Sequence, residues 1–323
     1  MNVLSLFDGL SCGNIALEKA GIKVGQYFAS EIDQYSIKIA NKNYPGIIQL
    51  GDVTKFDETK LPKIDLLIGG SPCQGFSFGG KQLNFDDPRS KLFFVYAYML
   101  KQLKPKYFLL ENVRMAKQSQ DVISEYLGVE PIEINSSLVS AQNRKRLYWT
   151  NIPNVTQPED KGILLKEILL DDAEEPMLSN IYGGFKEKKP RVHTDKSVTI
   201  RAASGGGAIP SIKLKQHINN ESATKKGKAY ALTASYSKAV AWNSIQKKQR
   251  TMIPITSSNE TGSNIYNGTK YRKLHPVECE RLQTIPDGYT SGVSNSQRYK
   301  MLGNSFTADI IAHIFKGIKE NGS

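Results

Sequence analysis

Short apolar runs alternate with segments of helical spacing through the first third of the chain, and this alternation restricts the fold more than any other feature of the sequence. "NVLSLF" ends in the glycine-containing loop "DGLSCG", and "IALEKAG" follows with helical spacing and a terminal glycine. "VGQYFASEI", a helix-like "QYSIKIANKNY", "IIQLGDV", "KIDLLIGG", a helical "KLFFVYAYMLKQL" and "YFLLENV" continue the pattern. Strands separated by helical lengths build βαβ units, so the expected fold class is α/β with a doubly wound, mostly parallel sheet. Ligands of such sheets bind beyond the carboxyl ends of the strands. That rule gathers Asp8, Glu31, Asp52, Cys73 and Glu111 at one edge, since each follows an apolar run.

From about Tyr182 to Tyr271 the texture changes to Ser, Thr, Asn, Gly and Lys with short apolar runs. The tail, "HPVECERLQTIPDGY" and "RYKMLGNSFTADIIAHIFKGI", regains helical periodicity. The 323 residues are therefore expected to form a first domain over 1–180, a smaller irregular lobe over 181–271 and a segment over 272–323 that returns to the first domain. The net charge of +12 belongs to the lobe: Phe185 to Lys273 holds 18 Lys and Arg against 4 Asp and Glu. Such a field suits a polyanion, nucleic acid being the commonest, although a solvated basic surface has the same composition.

No apolar run approaches the ~20 residues of a membrane span. The start, "MNVLSLFDG", has no basic leader, and the expected location is the cytoplasm, associated with the nucleoid. Three cysteines, Cys12, Cys73 and Cys279, show no C-x-x-C spacing, which argues against a disulfide framework or a metal site.

"FDGLSCG" has the form of a nucleotide loop, but Gly9 and Gly13 are spaced G-x-x-x-G, and the G-x-G-x-x-G that brings amides to a pyrophosphate is absent. Glu31 at the end of the second strand suits ribose hydroxyls, and Asp52 after the third apolar run suits an adenine amino group. These are demands of an adenosine without phosphates, as in S-adenosylmethionine. Carboxylates at strand ends also solvate turns.

Taken alone, Cys73 reads as a small core residue. Its surroundings change that reading. "LSLFDGLSCG", "SPCQGFS", "ENV" (Glu111 to Val113), "QNRKRLYW" (Gln142 to Trp149), "RKLHPVECERLQTIPDGY" and "GNSF" stand in the order of the motifs of the DNA cytosine C5 methyltransferase family, which the chain resembles over most of its length. The wording "SLFDG", "ASEID" and "LLIGGSPC" is similar to vertebrate de novo methyltransferase catalytic domains, while the length points to a prokaryotic or phage modification enzyme.

The resemblance implies an S-adenosylmethionine-dependent methyltransferase fold and a catalytic set of Cys73, Glu111, Arg144 and Arg146. Cys73 is the nucleophile that adds to C6 of cytosine, Glu111 the acid at N3, and Arg146 the contact to the base carbonyl. Arg144 and Arg146 alternate as strand neighbours would, with both guanidiniums on one face. Phe7 and Leu10 lie around the adenosine with Asp8 and Gly9 between them, Glu31 on the ribose, Ile32 and Val53 beside the adenine, and Asp52 at its amino group. Pro72 and Leu92 line the site, and Asn304 and Ser305 approach from the tail, where Phe306 replaces the family's usual small β-branched residue. The target base must be flipped out of the duplex, and the glycine- and serine-rich "QGFSFGGKQLNFDDPRSK" has the composition of a loop that closes over it.

The partners implied are double-stranded DNA and, for a modification enzyme, a cognate restriction endonuclease, with the protein itself a monomer and no membrane involved. Two rival readings carry different substrates. A tRNA methyltransferase of the same chemistry usually has a "CFT" tripeptide in its recognition region, whereas the only cysteine here after Cys73 is Cys279. A DNA-binding regulator without catalysis is opposed by the intact Cys73, Glu111 and Arg146.

The basic lobe generates a first prediction. If Lys213, Lys215, Lys225, Lys226 and Lys228 meet phosphates, neutralising three of them weakens binding to cognate and scrambled duplexes alike. The slope of log affinity against log salt flattens by about 2 to 3 units, at roughly 0.9 per phosphate. Salt titrations of the triple variant check this, and a loss confined to the cognate duplex with an unchanged slope contradicts it.

Overall fold

A computed structural model describes residues 1–71, 88–170 and 273–319, together with the backbone of short strands between Pro176 and Arg272. The irregular lobe and the glycine-rich loop expected from the sequence lie otherwise outside the described residues, as do Pro72 and Cys73. Two compact units are present, one of Met1–Ile134, Lys145–Gln157 and Ala308–Ser323, the other of Asn135–Arg144 and Pro158–Thr307.

The elements of the first half are β1 (Val3–Leu6), α1 (Cys12–Lys19), β2 (Tyr27–Ser30), α2 (Gln34–Asn43), β3 (Ile48–Gln49), β4 (Leu66–Gly69), α3 (Pro88–Leu103), β5 (Tyr107–Val113), α4 (Lys117–Leu127), β6 (Ile132–Asn135), β7 (Gln142–Asn143) and β8 (Lys145–Thr150). A short α5 (Leu165–Ile168) follows, and α6 (Pro276–Leu282), α7 (Asn295–Asn304) and α8 (Ala308–Lys319) form the tail. Seven strands make one sheet in the order β3-β2-β1-β4-β5-β8-β6. From β3 to β5 neighbouring strands run parallel, and β8 is antiparallel to β5. This is the mostly parallel α/β sheet expected from the alternation.

Every residue of β1, β2 and β4 is buried, as the continuous apolar runs of a sheet covered on both faces require. The run "IIQLGDV" forms only the two-residue β3 at the sheet edge, where Ile48 stays exposed because no further strand covers it. Leu4, Leu6, Leu67, Phe93, Tyr96, Leu110 and Trp149 belong to the core around these strands. Trp149 donates its indole N–H to Ser124 at 3.0 Å, so the largest buried ring leaves no donor unmade.

Asp33 starts α2 by accepting from the amides of Tyr35 and Ser36. The helical periodicity of the tail is broken at Ser305–Thr307, between α7 and α8. Helix α8 packs on α1 in the first unit, where Lys19 pairs with Asp309 at 2.6 Å. Residues from 273 to 307 belong to the second unit. There His275 and Glu278 form a reciprocal cap on α6. The fully buried Glu280 accepts from the amides of Gly288 (2.6 Å) and Thr290 (2.8 Å), from the Thr290 hydroxyl, and from Arg298 at 2.9 Å. Among the described residues no helix is long and apolar enough to cross a membrane.

Gly69 ends β4 under the ring of Tyr96, and a Cβ there would sit 2.6 and 2.7 Å from Tyr96 Cδ2 and Cε2. Tyr96 is fully buried in the core cluster, so the ring has little room to yield. Gly69→Ala is therefore expected to destabilise the protein by about 1 to 3 kcal/mol. A fall in the urea midpoint at unchanged slope is the expected reading, and an unchanged midpoint would show that the ring relaxes freely.

Candidate active site

Register decides what meets at the open edge of the sheet. Leu6 pairs with Ser30 on one side and Gly69 on the other, and Gly69 pairs with Leu110. The next row along these strands is Phe7, Glu31, Gly70 and Glu111. Strand order reverses between β1 and β4, which is where a sheet of this kind opens a crevice for a ligand. The chain leaving β4 through Ser71 leads within two residues to Cys73.

The loop after β1 is held in a tight form. Phe7, Gly9 and Ser11 all have positive φ, near 58°, 60° and 56°. At Gly9 the absence of a Cβ permits this at little cost; at Phe7 and Ser11 the surrounding bonds must hold it. Asp8 supplies them. Its carboxylate is buried, accepts from the Tyr27 hydroxyl at 2.8 Å and from the Ser11 hydroxyl, and its backbone N–H donates to Ser30. Burial pushes the Asp8 carboxyl above the usual range, against the lowering effect of these hydroxyls. Asp8 was expected among the cofactor contacts, but its side chain points into the protein and braces the loop. Tyr27 was not foreseen, because a tyrosine inside an apolar strand gives no sign of what its hydroxyl reaches.

Glu31 closes the loop from the other side. One carboxylate oxygen accepts from the amide of Gly9 at 2.8 Å, the other from the amides of Ile32 (2.7 Å) and Asp33 (2.8 Å). Ile32 beside it is 70% exposed, a large apolar side chain left open to a flat ligand. Val53 and Leu10 are buried, Phe7 and Leu92 partly so. Asp52 takes the amide and hydroxyl of Thr54 on one oxygen, at 3.0 and 2.8 Å, and lies 3.4 Å from Lys55 on the other. The Thr54 amide and hydroxyl are the main reason its carboxyl titrates below the usual range. This donor set fits an adenosine: a carboxylate with remaining acceptor capacity, an exposed aliphatic face and an acidic loop.

Glu111 and Arg146 face each other from the antiparallel strands β5 and β8, with Arg146 Nε 2.9 Å from Glu111 Oε1. Both side chains are buried. The contact is an ion pair without the alignment of a hydrogen bond, and Glu111 Oε1 has no hydrogen-bond partner among the described residues. Buried polar atoms are ordinarily satisfied, so this oxygen calls for a ligand or a catalytic task. Next to it, Asn112 donates to Ser71 Oγ at 3.2 Å and so ties β5 to the residue two before Cys73 in the sequence. That tie was also missed, since nothing in "ENV" singles out the middle residue.

Arg144 does not behave as the strand neighbour of Arg146. It falls in the break between β7 and β8, where pleat alternation does not apply. Its guanidinium donates to the carbonyls of Ser305 (2.9 Å) and Gly303 (3.5 Å). Asn304 between them is exposed, and Ser305 is buried. The other two cysteines, Cys12 and Cys279, are buried. Among the described residues no group of His, Cys, Asp and Glu is arranged to hold a metal.

The chain is similar to the orphan methyltransferase M.SPRI of Bacillus phage SPR, with 27% identity covering 98% of this chain and 97% of that one. It is 30% identical to the type II methyltransferase M1.ScrFI of Lactococcus lactis subsp. cremoris, covering 98% of this chain and 78% of that one. In fold it is similar to the methyltransferase EhMeth of Entamoeba histolytica, with a TM-score of 0.69 at 17% identity over 100% of this chain and 99% of that one. A mostly parallel sheet with its loop glycine and paired carboxylate thus accompanies a sequence match over residues 1–320 to the C-5 cytosine-specific DNA methylases, and the chain belongs to that family.

Proposed function

We propose that this protein transfers a methyl group from S-adenosylmethionine to C5 of a cytosine flipped out of a specific duplex DNA sequence, through a covalent adduct of Cys73. The observation that carries the reading is the buried Glu111 oxygen, 2.9 Å from the Arg146 guanidinium and otherwise without a hydrogen-bond partner among the described residues. C5 of cytosine is a poor nucleophile. The Cys73 thiolate adds at C6, the π pair shifts toward C5 and N3, and Glu111 relieves the charge by giving a proton to N3. Arg146 holds Glu111 in place and meets the base carbonyl beside it. Bound S-adenosylmethionine supplies the electrophilic methyl for C5, and Glu31, Ile32 and the braced loop from Phe7 to Leu10 orient it. A solvent base then takes the C5 proton, the electron pair of that bond restores the C5–C6 π bond as Cys73 departs as thiolate, and N3 returns its proton to Glu111.

The basic segment from Phe185 to Lys273 supports a grip on duplex phosphates, with the base-reading residues in the same lobe. In a cell the enzyme acts as a cytoplasmic monomer that protects sites from a cognate endonuclease. Methylation of tRNA is the competing reading, and duplex DNA and tRNA compared side by side for methyl transfer separate the two.

A duplex with 5-fluorocytosine at the target position is expected to trap a covalent complex, since fluorine at C5 cannot leave as a proton does. Cys73→Ser is expected to lose both trapping and transfer while keeping cofactor affinity, because a hydroxyl is far less ionised than a thiol. Wild-type protein that methylates ordinary DNA without trapping would overturn the covalent route.

Arg146→Met is expected to lower the rate of transfer by about 100- to 1,000-fold, the usual effect of removing one donor aimed at developing charge. Cofactor affinity is unaffected in that variant. Single-turnover rates measured at saturating cofactor check it, and a rate within a few fold of wild type would remove Arg146 from the site.

A further inference from the structure

We infer that Tyr27 is a positioning residue for the cofactor, whose hydroxyl acts through Asp8 to fix the loop from Phe7 to Ser11 in the form that binds S-adenosylmethionine. The inference rests on the proposed function, in which that loop and Glu31 orient the cofactor. Every residue it uses lies in the first unit.

The bonds from Tyr27 to the open edge of the sheet are continuous. Tyr27 is 3% exposed and donates to Asp8 Oδ1 at 2.8 Å, and the Ser11 hydroxyl donates to Asp8 Oδ2. One peptide bond onward, the Gly9 amide donates to Glu31 Oε2 at 2.8 Å. Glu31 follows Ser30, which pairs with Leu6, beside the point where strand order reverses between β1 and β4. Sheets of this class take a ligand there. A buried phenol is thereby linked to the crevice through a single carboxylate.

Tyr27 pairs with Val3, and Leu6 ends β1 about 10 Å further along at the rise of a strand. Only a long side chain carries a hydroxyl from there to the loop. Room is left for it. At Gly13, in the first turn of α1, a Cβ would sit 2.8 Å from Tyr27 Oη and 3.1 Å from Ile68 Cδ1. The G-x-x-x-G spacing thus has two separate causes, a positive φ at Gly9 and the close passage of a phenol at Gly13. Ser11 serves the same carboxylate. It stands at the N-cap of α1 with φ 56°, yet its hydroxyl caps no helix amide and goes to Asp8. Without the Tyr27 hydroxyl, a buried carboxylate is short of one donor, and the positive φ of Phe7 and Ser11 loses part of what holds it.

The test reads cofactor affinity apart from chemistry. In equilibrium dialysis without DNA, Tyr27→Phe, which keeps the ring, is expected to bind S-adenosylmethionine about 10-fold more weakly, near the lower value of one hydrogen bond to a charged group. Asp8→Ala is expected to lose at least as much. Adding Tyr27→Phe to it is expected to cost less than about twofold more, because the hydroxyl then has nothing to act through. At saturating cofactor, covalent trapping of the 5-fluorocytosine duplex by Tyr27→Phe stays within about threefold of wild type, a split that general loss of structure does not produce. Gly13→Ala, which displaces the hydroxyl without removing it, is expected to weaken binding in the same direction, and it carries the test should Asp8→Ala fail to fold, as read by its urea midpoint. Wild-type affinity in Tyr27→Phe or in Gly13→Ala overturns the inference. Losses from Tyr27→Phe and Asp8→Ala that add in full also overturn it, as does a trapping defect of Tyr27→Phe that persists at saturation. Wild-type protein that binds no S-adenosylmethionine in the same dialysis refutes the proposed function itself and is seen before any variant is compared.

Discussion

Backbone register in the parallel sheet is the constraint on which the rest depends. Because Leu6, Ser30, Gly69 and Leu110 stand in one row, the residues after them emerge together although more than 100 positions separate the first from the last. A one-residue slip in any of these strands would turn its side chains to the other face and move Glu31 or Glu111 out of that row. The interior enforces the register: β1, β2 and β4 are buried throughout, and Tyr96 closes over the one position, Gly69, that has no side chain. Apolar packing thus brings together polar residues that are far apart in the sequence.

On that frame sit polar clusters with different physical purposes. Asp8 with Tyr27 and Ser11 is a satisfied buried cluster, and it holds three positive-φ residues in one short loop. Glu280 with Arg298 and Thr290 is another in the second unit, and removal of one partner would leave a buried charge unanswered. Glu111 with Arg146 differs from both. Its carboxylate oxygen has charge compensation without an aligned donor among the described residues. The contrast separates bracing from chemistry in residues of the same type.

Much of the fold was legible in advance. "YFLLENV" is β5 from Tyr107 to Val113, "QYSIKIANKNY" is α2, and the apolar run ending at Gly69 is β4. The edge strand was not, because "IIQLGDV" reports hydrophobicity and not the neighbour that would pair with it. The tail read as helical throughout, while α7 stops at Asn304, where Arg144 and Gln283 take the carbonyls that further helix would have used. Of the site, the order of motifs singled out Glu111 and Arg146, which face each other, and the end of the second strand singled out Glu31, which accepts from Gly9. Arg144 and Arg146 read from their spacing as strand neighbours, whereas Arg144 falls in the one-residue break between β7 and β8.

By itself the sequence determined the layer architecture, the family, the placement of excess positive charge between Phe185 and Lys273, and the types of group available for chemistry. These follow from local quantities, namely periodicity, composition and short spacing, which are written along the chain. Only the tertiary structure decided what these polar atoms face: Asp8 turned inward to Tyr27, Asn112 tied to Ser71, and Arg144 set on Gly303 and Ser305. Most of those partners lie tens to more than a hundred residues apart, and a hydrogen bond forms only where packing brings donor and acceptor to about 3 Å. Periodicity can say that a side chain is buried; the atom it meets there is chosen by the whole fold.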